Sequence, residues 1–89
     1  MSGTPQSNLM AEKHLILYGR DDCHLCHDMV DQLRLIQGEL GFQLEIIDID
    51  TDHDLATKYN ALIPVLIHDT KEVCHYFLDI EGLRAALNC

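Results

Sequence analysis

Basic residues are scarce in this sequence: six lysines and arginines stand against fifteen aspartates and glutamates, a formal net charge of −9. A phosphate backbone would be repelled by that field, and no Lys/Arg cluster relieves it locally, so nucleic acid is not an expected partner. The charge suits solubility and is compatible with a basic protein partner. Long apolar runs are missing too. The longest, "ALIPVLI" at 61–67, is interrupted by Pro64 and falls far short of the roughly 20 residues that cross a membrane. The N-terminus, "MSGTPQSNLMAEK", lacks the basic start and apolar block of a secretory signal. A cytoplasmic, reducing setting is therefore expected, where four cysteines favour reactive or metal-binding use over a permanent disulfide framework.

What is present is enough apolar material, 47% of 89 residues, for one small domain with its own core. Residues 1–12 are polar and without apolar period, and are expected to be a flexible tail before a domain spanning 13–89. "HLILYG" at 14–19 reads as a buried strand. From His24 to Leu40 the residues Leu25, Met29, Leu33, Ile36 and Leu40 recur at spacings of three and four, one face of a helix that Gly38 and Gly41 should end. "FQLEIIDI" at 42–49 reads as a second strand, and "TDHDLATKYN" as a short helix closed by Asn60. "PVLIH" and "EVCHYFL" read as a hairpin around Asp69-Thr70-Lys71. "DIEGLRAALNC" reads as a terminal helix capped by Asp79, with Gly82 weakening it by about 1 kcal/mol. The order βαβαββα predicts an α/β fold: a mixed four-stranded sheet flanked by helices, with a right-handed parallel first crossover and near-continuous apolar strands buried on both faces.

The pentapeptide Cys23-His24-Leu25-Cys26-His27 fits three chemistries: haem attachment, half of a zinc site, or a redox pair. Haem would need export, a second axial ligand and a cavity in a domain whose apolar residues are already assigned. A closed zinc site needs four donors, but neighbouring residues on a helix turn spread by about 100°, and Cys74 and His75 fall on opposite faces of a strand. Redox chemistry suits the position better. Cys23 lies in the loop leaving the first strand and Cys26 in the first helical turn, where unpartnered N–H groups and the helix dipole favour a thiolate. Cys23 is thus placed as nucleophile, and Cys26 to resolve a mixed disulfide formed on it.

"ALIPVLI" adds an independent signal. A proline inside an apolar strand run needs a reason, and a cis Ile63-Pro64 bond opening the strand would supply one by exposing a backbone edge to substrate. Together, the C-x-x-C after the first strand, the Ile-Pro before a hairpin and the βαβ plus ββα order resemble the minimal, glutaredoxin-sized thioredoxin fold over residues 13–89. The C-H-L-C loop is similar to that of short glutaredoxin-like proteins. The resemblance implies a thiol–disulfide oxidoreductase with Cys23 as nucleophile, Cys26 as resolving thiol and Ile63-Pro64 facing substrate.

Arg20 stands where many glutaredoxins hold a glutathione carboxylate. The Gly-Gly and polar pair for the other end are replaced by "HYFLDIEG", with Asp79 as the one substitute. Arg20, His24, Ile63, Pro64 and Asp79 form the expected substrate-binding set. No cofactor or metal is required; glutathione is a possible co-substrate beside protein or low-molecular-weight disulfides, and a monomer is expected. A non-catalytic module holding glutathione, an iron–sulfur cluster or zinc on the same thiols is the alternative.

Asp21 and Asp22 oppose a Cys23 thiolate by roughly 0.6 kcal/mol at about 7 Å in water, while the helix terminus favours it by about 0.3–2 kcal/mol. A lowered Cys23 pKa is expected, aided by His24 when protonated. His27 reads as an exposed helix residue. Cys74 reads as a small core residue, Cys89 as an accessory thiol, Tyr18 and Tyr59 as packing. His14, His53, His68 and His75 show no ligand spacing.

Overall fold

Leu15, Leu17 and Gly19 are buried and alternate with half-buried Ile16 and Tyr18, the period-two pattern of a strand. In the computed structural model, which describes residues 13–87, this is β1 (His14–Gly19), the inner strand that carries the site. It leads into α1 (His24–Leu40), β2 (Gln43–Asp48), a 3-10 turn (Ile49–Thr51), α2 (His53–Tyr59), β3 (Val65–His68), β4 (Lys71–His75) and α3 (Ile80–Leu87). The expectations for residues 1–12 and for Cys89 lie outside the described residues. No helix among those described is long and apolar enough to cross a membrane.

The sheet runs β2-β1-β3-β4. β1 pairs parallel with β2 and antiparallel with β3, and β3 pairs antiparallel with β4. This is the expected mixed four-stranded α/β sheet. The core lies on the face where Leu15, Leu17 and Leu66 meet Met29 and Leu33 of α1 and Leu83 and Leu87 of α3, with Phe42 beside them. On the other face, the ring of Tyr59 at the end of α2 stacks on Tyr18 with centroids 4.7 Å apart. Burial on both faces is confined to the inner strands: β2 and β4 are edges and largely exposed, and α2 has only seven residues with which to cover its face.

Several boundaries differ from the sequence reading. Gly38 does not end α1; the helix continues to Leu40 and stops at Gly41, whose φ of 72° is the left-handed conformation of a C-cap, with its N–H bonded to the Gln37 carbonyl at 2.8 Å. β2 ends one residue early, because the Asp48 carboxylate caps the following turn through the Asp50 N–H at 2.8 Å. The hairpin turn is the pair Asp69-Thr70, both with positive φ (53° and 66°), and Lys71 already pairs with His68. Val73 is an extra residue opposite the Leu66/Ile67 junction, a β-bulge that lets both Val73 and Cys74 pack against the core. β4 then stops at His75 instead of running to Leu78, because Tyr76 turns the chain with a φ of 64°.

Candidate active site

Gly19 ends β1 with its backbone against the buried sulfur. An added Cβ would lie 3.0 Å from Cys26 Sγ, so the close approach of helix and strand depends on the missing side chain. The chain then turns through Arg20–Asp22, closed by the Cys23 N–H donating to the Arg20 carbonyl at 3.2 Å. Cys23 is the N-cap of α1, with extended backbone, and its Sγ accepts the Cys26 N–H at 3.1 Å. A sulfur in that role occupies the place where Ser or Asp would satisfy an orphan amide. His27 makes a 2.6 Å bond from Nε2 to the Asp21 carbonyl and so braces the loop from the helix side.

Cys23 and Cys26 are joined as a disulfide, with Cα atoms 5.2 Å apart. The two sulfurs are unequal: Cys26 is only 4% exposed, whereas Cys23 is half-buried at the surface. An incoming reagent therefore meets Cys23 first. His24, the first residue of α1, is exposed beside it.

The register brings Pro64 to the same place. Tyr18 pairs with Val65, so the residues preceding β3 lie alongside the end of β1 from which the cysteine loop departs. The Ile63-Pro64 bond is cis. The Pro64 carbonyl accepts the Tyr76 N–H at 2.9 Å, and the Tyr76 hydroxyl donates to the Ala61 carbonyl at 2.6 Å, clamping the proline loop to the end of β4.

Arg20 is engaged within the protein. Its Nε and Nη2 donate to the two carboxylate oxygens of Asp50 at 2.9 and 3.0 Å, and Nη2 also reaches Asn60 Oδ1 at 3.1 Å. The Asp50 hydrogen bond pushes the guanidinium pKa up, so it stays charged. Asp79 is occupied as the cap of α3, its Oδ1 accepting the Gly82 N–H at 3.0 Å. Cys74 is a free, half-buried thiol whose pKa burial pushes up, with a backbone hydrogen bond at Asp79 acting the other way. Among the described residues no three His, Cys, Asp or Glu side chains converge as a metal-binding group. His14 and His75 instead pair with Glu45 at 3.4 Å and Glu72 at 2.6 Å.

The structure thus brings Cys23, Cys26, His24, Arg20 and Pro64 to one end of the sheet. Sequence reading missed Asp50 and Asn60, which hold Arg20, and Tyr76, which holds the proline loop. A signal for Asp50 was available: the "DIDTD" run follows a strand parallel to β1, and parallel strands end on the same side.

The sequence profile of the glutaredoxin-like domain (DUF836) matches residues 14–88. Protein Ne2328 of Nitrosomonas europaea is 44% identical, covers 81% of this chain and 87% of its own, and superposes with a TM-score of 0.75. Protein XcR50 of X. campestris is 35% identical over 83% of this chain and 95% of its own, with a TM-score of 0.67. Wheat glutaredoxin, at 17% identity and a TM-score of 0.54 over 91% of this chain and 85% of its own, shares the fold. From its profile match, its relatives and the placement of its two cysteines on a thioredoxin-like sheet, the chain belongs to the glutaredoxin-like (DUF836) family.

Proposed function

We propose that the protein is a dithiol thiol–disulfide oxidoreductase working in a reducing, cytoplasmic setting. The observation that carries this reading is the inequality of the paired sulfurs: accessible Cys23 at the N-terminus of α1, joined to buried Cys26 one turn later. In the reduced protein, the Cys23 thiolate attacks one sulfur of a substrate disulfide, forming a mixed disulfide and releasing the other sulfur as a thiolate that takes up a proton. Cys26 then loses its proton and attacks Cys23 Sγ. The second substrate sulfur leaves as a thiolate and is protonated, and the two electrons gained by the substrate are those that Cys23 and Cys26 lose on becoming a disulfide. The first-turn amides and the helix dipole stabilise the attacking Cys23 thiolate.

Protein and low-molecular-weight disulfides are the substrates this reading admits. Glutathione is the weaker co-substrate, since a carboxylate would have to displace Asp50 from Arg20, and Asp79 is already spent as a cap. Incubating reduced Cys26→Ser protein with a disulfide and reading intact mass tests the mechanism. A stable adduct that peptide mapping places on Cys23 is expected, and in Cys23→Ser any adduct should be confined to the accessory thiols. Absence of the Cys23 adduct would remove the dithiol mechanism and leave a binding role for the thiols.

A further inference from the structure

Beyond β4 the chain makes a γ-turn: the Phe77 N–H donates to the His75 carbonyl at 2.7 Å, with Tyr76 between them at a φ of 64°. That conformation is rare and strained for a residue with a side chain. It is held from both ends, by the bonds from Tyr76 to Pro64 and Ala61. Its effect is to present Phe77 outward, 70% exposed, flanked by Tyr76 at 39% and Ile80 at 43%. This apolar ridge is continuous with the redox site. Tyr76 is bonded to Pro64, and β4 lies two strands from β1, so Tyr76 is about 10 Å from the end of β1 at the usual strand spacing. Three residues of extended chain span that distance.

Charge is distributed unevenly around the ridge. Arg20, the basic residue of the cysteine loop, is neutralised by Asp50, and Lys58 lies over the Tyr59 ring on the sheet face that carries α2. Asp21, Asp22, Asp48, Asp79 and Glu81 remain around the cysteine loop and the start of α3. Lys13, Lys71 and Arg84 lie toward the opposite end, where Lys13 bonds the Leu40 carbonyl at the end of α1 and Arg84 pairs with Glu39. Glutathione disulfide, a dianion without apolar groups, matches neither the ridge nor the field.

We infer that the Tyr76-Phe77-Ile80 ridge, with the carboxylates beside it, docks the cysteine-bearing segment of an oxidised protein substrate, taking an apolar side chain on Phe77 and a basic one toward Asp21 and Asp22. The inference rests on the dithiol reading above, whose electron balance it keeps: the substrate disulfide is reduced and Cys23–Cys26 is oxidised. It adds the substrate class and the residues that select it.

The test is the rate at which the reduced full-length protein reacts with four disulfides: bis(2-hydroxyethyl) disulfide, glutathione disulfide, and the symmetrical disulfides of the peptides Leu-Ala-Cys-Lys and Leu-Ala-Cys-Glu with blocked ends. Each rate is divided by that of dithiothreitol, a neutral thiol, with the same disulfide, which removes intrinsic reactivity. The Lys peptide is expected to react fastest, about tenfold faster than the Glu peptide at low salt. That gap should narrow in about 1 M salt, where the Debye length is about 3 Å. In Phe77→Ser the ratio of Lys peptide to bis(2-hydroxyethyl) disulfide should fall about fivefold, whereas Leu35→Ser, which removes a still more exposed apolar residue from α1, should leave the ratio in place. Glutathione disulfide matching the Lys peptide, or a ratio indifferent to Phe77→Ser, overturns the docking surface alone. Failure of Cys23 to react with any of the four overturns the dithiol reading as well.

Discussion

An alanine at Gly82 would put its methyl carbon 2.5 Å from Asp79 Oδ2, in the space through which the carboxylate caps α3. The glycine that looked like a flaw in the terminal helix is what admits the cap. Gly38 offers the contrast: it lies exposed inside α1, with nothing within 4 Å of an added Cβ. Gly38→Ala should therefore raise stability by about 0.5–1 kcal/mol. Gly82→Ala should gain nothing net, because the same propensity gain is opposed by a lost cap worth about 0.5–2 kcal/mol. Urea denaturation of the two variants compares them directly. At Cys74, burial raises the thiol pKa in the folded state. Its contribution to stability is then intact below the ordinary thiol value and is lost as pH rises through the raised one. Stability should decline over that alkaline window, and less so in Cys74→Ala. Near neutral pH, iodoacetamide should label Cys23 of the reduced protein well before Cys74, as mass mapping of the labelled peptides can establish. The cysteine pair and Pro64 were legible because their meaning is local: a short strand before one, an apolar run around the other. The grip on Arg20 was not, since its partners stand 30 and 40 residues away and only the parallel β1–β2 pairing unites them.

The elements were legible where periodicity is long and edges are marked by caps. α1 shows seventeen residues with one apolar face, and its Gly41 stop is a C-cap of the usual kind. Its passage through Gly38 was misread because an exposed glycine costs a helix only about 1 kcal/mol, which the packing of Met29 and Leu33 outweighs. The early end of β4 had no local sign at all. "HYFL" has the aromatic and branched character of a strand, and it is the pairing of Tyr76 with Pro64 that turns the chain. The β3–β4 turn carries a residue ill suited to it: Thr70 is β-branched and holds a φ of 66°. Thr70→Gly should stabilise the protein by about 1–2 kcal/mol. Thermal unfolding should then shift up by several degrees, about 4–8 °C per kcal/mol in a domain of this size.

Across the whole molecule, one face of the sheet carries the principal core and one end carries the chemistry. Leu33 is fully buried among strand and helix residues. Leu33→Ala should cost about 2–5 kcal/mol, a large share of the roughly 5–15 kcal/mol that holds a small domain folded, and a chemical denaturation curve would display it. Composition revealed the net charge of −9 but not its placement. The placement of Asp21, Asp22, Asp48 and Glu81 at the cysteine end, and of Lys13, Lys71 and Arg84 toward the other, emerges only when strand direction assigns each residue to an end. The central claim, a reversible couple confined to Cys23 and Cys26, is tested most directly by equilibrating the protein in graded glutathione redox buffers, quenching by alkylation and weighing the peptides. The account expects one two-electron transition between about −180 and −270 mV, with the Cys23–Cys26 peptide changing state and Cys74 a free thiol throughout. A Cys23–Cys26 peptide that never pairs, or that carries only a glutathione adduct, would contradict it.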